Sequence, residues 1–347
     1  DAGDAVILGR GGQYILEGRP DTYHILLVAD LDYRVNYVQK QYDLVPKQAM
    51  LAVAMIGYQR LDFLAYGIYA LVVLALVAVL LWGKVVGGSQ RWLSIGVGVV
   101  QPSEMARFAV ILVLAHYFHH RDQDEPYTLR QLGLPLLLVM IPAGLILKQP
   151  DLGTALMVII VGVSVILING VRLTSLGIAT GAVLGVLPLA WGFLKDYQKR
   201  RIFSFLDPES DPLGAAYHLI QSKIAVGSGQ FAGKGFMAGT QSQLHFLPEQ
   251  HTDFAFSVLA EEWGFIGGVL ILLLLAAVIY RGLLHALRAK DRLGMLVVAG
   301  AVASVFWPTI INAGMVLGLF PVVGIPLPFI SYGGSSMITT MTTIGLI

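Results

Sequence analysis

Apolar residues in this chain form long runs separated by shorter polar connections. Six runs approach or exceed about 20 residues, the length with which a helix crosses a bilayer core of about 30 Å. They occupy residues 63–83, 131–147, 152–170, 173–194, 254–280 and 293–318. Two further runs, 104–118 and 333–347, are shorter or charged at one end, and residues 47–58 are apolar but too short to span. The pattern predicts an all-α polytopic membrane protein with eight readable helices, or nine if 47–58 is counted.

The composition supports the membrane class. The 347 residues are 56% hydrophobic and only 13% charged, and the mean hydropathy is +0.72. Hydrocarbon tolerates only backbones that satisfy their own hydrogen bonds, which helices do. A net charge of +1 gives no indication of an acidic partner such as nucleic acid, and the absence of cysteine excludes disulfides and thiolate metal sites.

The first part of the chain differs from the rest. Residues 1–46 show neither the charged-then-apolar pattern of a signal peptide nor an apolar run of spanning length. We expect a soluble or poorly defined segment there, followed by a transmembrane domain at residues 47–347.

Basic residues of the short connections indicate the orientation. Because such residues stay in the cytoplasm, we predict that one set of connections is cytoplasmic and that the long polar segment 195–253 faces outside. Connection 319–332, on the predicted outer side, carries no basic residue. The cytoplasmic set comprises Arg60, Arg121, Arg130, Arg172, Arg281, Arg288, Lys290 and Arg292.

Three outer stretches have unusual patterns. Residues 212–229 show roughly helical apolar spacing, which predicts an amphipathic helix on the membrane. Glycines then recur around Lys234, which favours either a flexible loop or a backbone that approaches a phosphate. Segment 319–332 is apolar and contains three prolines, so it forms either a re-entrant wall or a rigid turn.

The long polar segment ends in the string LPEQHTDF, which places Asp253 at a loop-to-helix junction. Free N–H groups and the helix dipole there favour the ionised carboxylate. Thr252 is placed to hold this carboxylate by a hydrogen bond. Position alone is equally consistent with a catalytic base and with an N-cap.

Other ionisable residues lie at helix depth or beside Asp253. Glu104 and Arg107, one helical turn apart, predict a buried ion pair that is either structural or in contact with substrate. Of Glu261 and Glu262, we expect at least one to pair with a neighbouring helix, since adjacent carboxylates face different directions. Asp151 most simply caps the helix that follows it.

Histidines allow two further interpretations. In an extended strand, Glu249, His251 and Asp253 would share one side and form a metal or relay site. His251 is otherwise expected to position substrate or Asp253. The histidines at 116, 119 and 120 fit a solvated face at the cytoplasmic end of a helix.

Several strings together resemble the SEDS family over about residues 47–347. The sequence GTQSQL before LPEQHTDF is more similar to the rod-shape branch of that family than to the division branch. The strings are QRWLSIG (90–96), QPSE (101–104), QPDLGTA (149–155), YQKRR (197–201), LDPESDPLGAAYHLIQSKIAVGSG (206–229), GKGF (233–236), GTQSQLHFLPEQHTDFAFSVLAEEWG (239–264) and PLPFISYGGSS (326–336).

The resemblance implies about ten transmembrane helices and a peptidoglycan glycosyltransferase in the bacterial cytoplasmic membrane. Such enzymes polymerise lipid II on the outer face beside a class B penicillin-binding protein, a transpeptidase that crosslinks the strands. The 4-hydroxyl of an acceptor GlcNAc attacks C1 of a donor MurNAc with inversion, and undecaprenyl pyrophosphate leaves.

The chain departs from the family in two places. The first family helix is not recognisable in residues 1–46, and Arg107 stands where lysine is more usual.

The implied reaction assigns roles to the candidate residues. Asp253 would be the base, and cations would neutralise the leaving pyrophosphate. Arg91, Arg107 and Lys223 lie in matching motifs and are favoured for that task. Mg²⁺ or Mn²⁺ would also serve, although no ligand set at metal spacing is visible. The full set of substrate-binding candidates is Arg91, Glu104, Arg107, Lys223, Lys234, His251 and Thr252.

Two rival functions remain open from the sequence. A flippase for lipid-linked precursors would also carry intramembrane charge and interrupted helices, but such proteins often show internal repeats. We find no clear repeat, and polar residues concentrate in the outer segment, which favours chemistry over transport. A non-catalytic scaffold for the crosslinking enzyme is the third possibility.

Overall fold

The computed structural model describes residues 58–86, 89–95, 98–121, 123, 125–193, 196–210, 216–244, 246–247 and 251–345. The predicted N-terminal segment 1–46 and the apolar stretch 47–57 lie outside these residues. The description below concerns the compact unit Gly57–Ile347.

Helices dominate the described chain. All eight apolar runs predicted to be helical are helices in the structure, so the all-α membrane class is confirmed. The helices are α1 (Tyr58–Trp82), α2 (Pro102–His119), α3 (Gly133–Lys148), α4 (Leu152–Ile168), α5 (Leu173–Phe193), α6 (Asp196–Leu206), α7 (Tyr217–Gly229), α8 (Thr240–Gln243), α9 (Ala255–Leu287), α10 (Arg292–Val316) and α11 (Gly334–Ile344).

Three helices are long and apolar enough to cross a membrane: Asp62–Trp82 within α1, then α9 and α10. Three shorter apolar helices are α3, α4 and the first part of α5, Leu173–Val186. Large apolar side chains face outward on several of them, for example Phe63 at 88% and Leu173 at 82% exposure. Such faces suit contact with lipid tails, so the chain is a polytopic membrane protein.

Helix α2 is the centre of the core. Nearly all its residues are buried, and its apolar side chains pack in one cluster with α1, α3, α4 and α10. A helix that is apolar all round is expected to be buried on all sides. Close approach is required at Gly300 of α10, where an added Cβ would lie 2.6 Å from the Ile111 side chain. The core therefore fixes the relative positions of the helices that carry the polar residues described below.

A small antiparallel sheet precedes α2 and was not predicted from the sequence. It contains β1 (Lys84–Val86), β2 (Ser89–Ile95) and β3 (Gly98–Val100) in the order β1-β2-β3. Leu93 pairs with Val100 and Val85 pairs with Gln90. The sheet fixes β2, which carries Arg91.

Helix α9 is interrupted at Gly264, whose φ of 67° is left-handed and favours glycine. Residues 230–239, called the glycine loop here, form no regular element and lie against this kink. The hydrogen bonds between this loop and α9 replace those that the helix loses at the kink, so the backbone N–H and C=O groups there keep partners within the protein. The bonds run from Lys234 N to Glu261 O (3.1 Å), Gly235 N to Glu262 O (3.0 Å), Phe265 N to Gln230 O (2.9 Å) and Ile266 N to Phe231 O (3.2 Å).

The predicted amphipathic helix in 212–229 is present as α7, beginning at Tyr217. Its buried face packs against α9 and α10, where the Ser222 hydroxyl lies 2.8 Å from Ser257 Oγ and 2.9 Å from the Val316 carbonyl. These contacts attach the helix to the protein. Its predicted position on the membrane stays a prediction.

Candidate active site

Asp253 lies in the turn immediately before α9 and is partly buried. Phe254 occupies the N-cap position of α9 and makes no side-chain capping hydrogen bond. Asp253 therefore does not occupy the N-cap, contrary to one of the two interpretations. Its backbone carbonyl accepts a hydrogen bond of 2.8 Å from Asn312 Nδ2 on α10. Asp253 thus stands just outside the first turn of α9.

Residues 319–332, called the proline segment here, run past Asp253. They form no helix in the structure, although Ile325 and Leu327 are buried. Asn312 Nδ2 donates to the Ile325 carbonyl at 2.7 Å as well as to Asp253. One buried amide therefore fixes the aspartate and the proline segment to the same helix. Of the two interpretations, wall or turn, this geometry favours a wall beside the carboxylate.

Gly324 is the point at which the proline segment meets Asp253. Its φ is +78°, and a Cβ added there would lie 3.2 Å from Asp253 Oδ2. Glycine provides both the left-handed backbone and the space beside the carboxylate oxygen.

The same glycine lines a narrow crevice on the side of α2. The crevice is also lined by Glu104, Arg107, Thr154, Met157, Ile325 and Pro326. Glu104 and Arg107 form the predicted ion pair, with side chains only 8% exposed. Arg107 Nε is buried and has no hydrogen-bond partner among the described residues. A buried guanidinium with unused donor capacity is therefore placed close to Gly324, the residue beside the Asp253 carboxylate.

Arg91 on β2 lies beside the start of α4. Its guanidinium donates to the carbonyls of Gln149 (3.3 Å) and Pro150, and lies 3.8 Å from Asp151. Asp151 caps α4 as predicted, since its side chain accepts from Thr154 N at 3.2 Å. The structure therefore gives Arg91 a positioning role at this helix start.

The first turn of α4 abuts the proline segment. A Cβ added at Gly153 would lie 2.8 Å from the Val323 carbonyl and 3.1 Å from that of Gly324. The helix that Arg91 and Asp151 hold therefore supports the backbone that lines the crevice.

Lys223 on α7 reaches the beginning of the proline segment. The end of its side chain lies against Gly318, whose φ is +74°, so that a Cβ there would collide with Lys223 Cε. The residue is exposed. The structure thus gathers Lys223, Arg107, Glu104 and Asp253 along one stretch of chain, from Gly318 to Pro326.

Lys234 is held elsewhere. Its ammonium lies 2.8 Å from Glu261 Oε1 and 2.8 Å from Thr240 Oγ1. Glu261 is fully buried and also accepts hydrogen bonds from Gln241 N at 2.9 Å and Ser242 N at 3.2 Å. Glu261 is thus paired with Lys234 of the glycine loop and with the backbone N–H groups of Gln241 and Ser242 in the short helix α8, which confirms the predicted pairing with a neighbouring helix. The backbone N–H groups that were one candidate for phosphate binding bond to helix carbonyls instead.

His251 and Thr252 precede Asp253 in the same turn. His251 is exposed, and its carbonyl accepts a hydrogen bond of 2.7 Å from Tyr332 N of the proline segment. Residues 251–254 form turns, so the alternating strand required by the Glu249, His251 and Asp253 interpretation is wrong for this part. Glu249 lies outside the described residues. The substrate-binding roles of His251 and Thr252 stay predictions.

Sequence reasoning missed the residues that hold the site together, chiefly Asn312, Gly324 and Gln101. Gln101 Nε2 lies 3.3 Å from Asp151 Oδ2. Asn312 did carry a signal, because a polar side chain within a long apolar run is costly unless it has a defined partner. Gly324 carried none, since glycine is common in turns of any kind.

Comparisons with known proteins agree with this architecture. The family model described as “Cell cycle protein”, covering FtsW, RodA and SpoVE, matches residues 32–347. “Peptidoglycan glycosyltransferase MrdB” of Escherichia coli strain K12 is 44% identical over 299 residues, which are 86% of this chain and 80% of that protein.

Two solved structures are also similar. The rod shape determining protein RodA of Thermus thermophilus aligns with a TM-score of 0.61 at 29% identity, covering 85% of this chain and 80% of that one. A structure described as “Structural coordination of polymerization and crosslinking by a peptidoglycan synthase complex” aligns with a TM-score of 0.71 at 32% identity, covering 90% and 87%. These matches confirm the resemblance drawn from the motifs, and the chain belongs to the FtsW, RodA and SpoVE family, the SEDS proteins.

Proposed function

We propose that this protein is a peptidoglycan glycosyltransferase that polymerises lipid II on the outer face of the bacterial cytoplasmic membrane. Family membership and the activity named for the Escherichia coli relative support the reaction class. The observation that carries the proposal is the position of Asp253. Its carboxylate lies beside Gly324, where an added Cβ would be 3.2 Å from Oδ2, and Gly324 lines a crevice with the buried Arg107. A base and a cation beside one crevice are what glycosyl transfer to a sugar hydroxyl requires.

Asp253 would act as general base. The 4-hydroxyl of the acceptor GlcNAc loses its proton to the carboxylate as its oxygen bonds to C1 of the donor MurNAc. The bond between C1 and the pyrophosphate oxygen breaks on the opposite side, which inverts the anomeric centre. Asn312 holds the Asp253 backbone, so the carboxylate is positioned before substrate arrives.

Arg107 and Lys223 would stabilise the leaving pyrophosphate. Arg107 lines the crevice and keeps a buried Nε without a hydrogen-bond partner, and the ammonium of Lys223 lies by Gly318 at the entrance to the proline segment. Glu104 would orient the guanidinium through their ion pair. Arg91 would contribute indirectly by holding the start of α4.

A divalent cation, Mg²⁺ or Mn²⁺, would suit the same place. Mg²⁺ is commonly bound through one or two carboxylates plus substrate phosphates. Asp253 provides such a carboxylate, and the pyrophosphate of the substrate would provide further oxygens. When bound, the ion would neutralise charge that develops on the leaving group.

A class B penicillin-binding protein is the proposed partner. The solved complex that resembles this chain couples polymerisation with crosslinking. A transpeptidase that uses the new glycan strand would benefit from standing beside the enzyme that makes it.

The direct test supplies purified protein and its partner with labelled lipid II and measures glycan chains. Asp253→Asn keeps the shape of the side chain but cannot accept the proton. We expect it to lower polymerisation by about 10²–10⁴-fold, the usual contribution of a positioned base. Glu209→Gln is the matched control, because Glu209 is an exposed carboxylate in the same outer segment. Its activity should remain near that of the wild type.

The same preparations distinguish the rival functions. Transfer of labelled lipid II across vesicle membranes without glycan chains would support a flippase. Neither activity, with binding of the partner retained, would support a scaffold. Near-normal polymerisation by Asp253→Asn, in protein that unfolds at the wild-type temperature, would overturn the assignment of the base.

A further inference from the structure

A second cluster of chemically reactive side chains lies at the opposite end of α2 from Arg107. It joins Asp62, near the start of α1, with His116 in the last turn of α2 and His120 at the C-cap of that helix. His116 is twelve residues beyond Glu104, which corresponds to about 18 Å along the helix axis. The cluster is therefore separate from the crevice beside Asp253.

From this cluster we infer a binding site for a divalent transition metal of the zinc class. Asp62 Oδ1 lies 2.7 Å from His116 Nδ1, and Asp62 Oδ2 lies 3.7 Å from His120 Nε2. One ligand atom from each residue lies within 4.8 Å of the others. Bonds of about 2.0–2.2 Å to one central ion require shifts of only about 1 Å in these side chains.

The hydrogen bonding of His120 favours a cation over a simple ion pair. His120 Nδ1 lies 3.1 Å from the carbonyl of His116. A carbonyl only accepts, so Nδ1 carries the proton and Nε2 of the neutral ring presents a lone pair. That lone pair faces a carboxylate oxygen, which also presents lone pairs. A metal ion between the two acceptors resolves this conflict.

The arrangement matches known principles of zinc binding. Histidines four residues apart lie on one face of a helix, the spacing used by helical zinc sites. A ligating histidine commonly donates its other ring N–H to a carbonyl or carboxylate, which fixes the tautomer, and His120 does this. Tyr66 holds the ring of His116 edge-on, with centroids 4.8 Å apart. Two nitrogen ligands disfavour Mg²⁺, which prefers oxygen.

The site is open to water but anchored in the fold. The side chains of His116 and Asp62 are 18% and 19% exposed, whereas that of His120 is 54% exposed. Among the side chains that the structure describes, the two histidines are the only basic groups paired with Asp62. Arg121, one residue further, instead donates to the Tyr117 hydroxyl at 2.7 Å. Three protein ligands would leave at least one position for water. The ion would tie α1 to α2 at this end.

Cobalt is the probe, because Co²⁺ substitutes for Zn²⁺ and absorbs visible light when bound by nitrogen and oxygen ligands. Tag-free protein in detergent, freed of metal by a chelator, is titrated with Co²⁺ and then with Zn²⁺ or Mg²⁺. We expect one equivalent of Co²⁺ to bind and Zn²⁺, but not Mg²⁺, to displace it. The same titration at pH 5 should show weaker binding, since protonated histidine is no ligand.

Variants locate the binding. His116→Ala, His120→Ala and the shape-conserving Asp62→Asn should each weaken Co²⁺ binding by more than about tenfold, since loss of even an outer-shell partner costs about 10–100-fold. His119→Ala is the matched control, because its ring contacts that of His120 edge-on but is not part of the group. It should bind Co²⁺ like the wild type.

Folding is monitored by circular dichroism, and none of these measurements requires turnover. A wild-type protein without stoichiometric Co²⁺ binding at neutral pH would overturn the proposal. So would full binding retained in folded His120→Ala and Asp62→Asn. Equal loss in the His119→Ala control would show that binding depends on the helix end in general, which also rejects the site.

Discussion

Neither the proline segment nor the glycine loop is helical, and each lies beside a long apolar helix. The contacts that hold the two segments differ. The glycine loop fills the kink of α9 with backbone hydrogen bonds, and the buried Glu261 carboxylate accepts hydrogen bonds from Lys234 of this loop and from Gln241 and Ser242 of α8. The proline segment is attached through the amide of Asn312 and leaves a crevice. Arg107 lines this crevice, and its buried Nε has no hydrogen-bond partner.

The difference indicates which interruption serves chemistry. Where the backbone N–H and C=O groups at a helix break form hydrogen bonds within the chain, the break serves the structure of the protein, and we call it a joint. Where a buried cation keeps donor capacity next to a carboxylate, the break provides space for a ligand with complementary groups. Glycine-rich sequence and a lysine are therefore insufficient to identify a phosphate site, because the kink uses the same residues to complete its backbone.

Gly324→Ala should have the largest effect on polymerisation among substitutions in these two regions. The new methyl group would lie 3.2 Å from Asp253 Oδ2 at a φ of +78°, and the left-handed conformation costs a non-glycine residue about 1–2 kcal/mol. We expect activity to fall by about 10–100-fold, equivalent to about 1.4–2.7 kcal/mol in the barrier.

Lipid II polymerisation measures this effect, with thermal unfolding in parallel. Gly334→Ala is the control, since a Cβ there would have no neighbour within 4 Å. Equal activity in the two variants would show that the space beside Asp253 is not used.

Asn312→Leu should have an intermediate effect. It removes the donor shared by the carbonyls of Asp253 and Ile325, and an unsatisfied buried acceptor costs about 1–3 kcal/mol. We expect a lower unfolding temperature and roughly tenfold lower polymerisation, because both the aspartate and the wall lose their common anchor.

The control is Ser304→Ala on the same helix, where the hydroxyl bonds only to the nearby Ala301 carbonyl. If Asn312→Leu lowers stability but leaves polymerisation unchanged, the amide has no role in positioning Asp253.

Glu261→Gln should change polymerisation least. The amide cannot satisfy all the donors that Glu261 receives, and Lys234 loses its ionic partner. We expect faster proteolysis of the glycine loop and a loss of about 1–3 kcal/mol in stability, with polymerisation within about threefold of wild type.

Glu262→Gln, the adjacent and partly exposed carboxylate, is the matched control for both measurements. A loss of polymerisation by Glu261→Gln as large as that of Gly324→Ala, in folded protein, would contradict the distinction between joint and crevice.

Sequence reasoning located the helices well because apolar runs of spanning length have few alternatives in a membrane protein. It also located the Glu104–Arg107 pair and the Asp151 cap, since both depend on spacing within a single helix. These are local properties, and the structure confirms them.

Contacts between distant parts of the chain were harder to predict. The hydrogen bonds from Asn312 to Asp253 and from Lys234 to Glu261 join residues that no helical period relates. The kink at Gly264 was also missed, because a single glycine inside a long apolar run resembles any other helix glycine. The small sheet around Arg91 was missed as well, because β1 and β3 have only three residues each and the sequence of β2 lacks a clear alternation of apolar and polar residues.

The three prolines of segment 319–332, Pro321, Pro326 and Pro328, have a consequence for recognition. Proline narrows the range of shapes open to a chain even before it folds, so this stretch brings little conformational freedom to an encounter. A lipid-linked sugar that binds here from the membrane would lose conformational freedom, whereas the proline segment would lose little. A binding surface that is already ordered loses little conformational entropy on association, so modest contacts can produce selective binding.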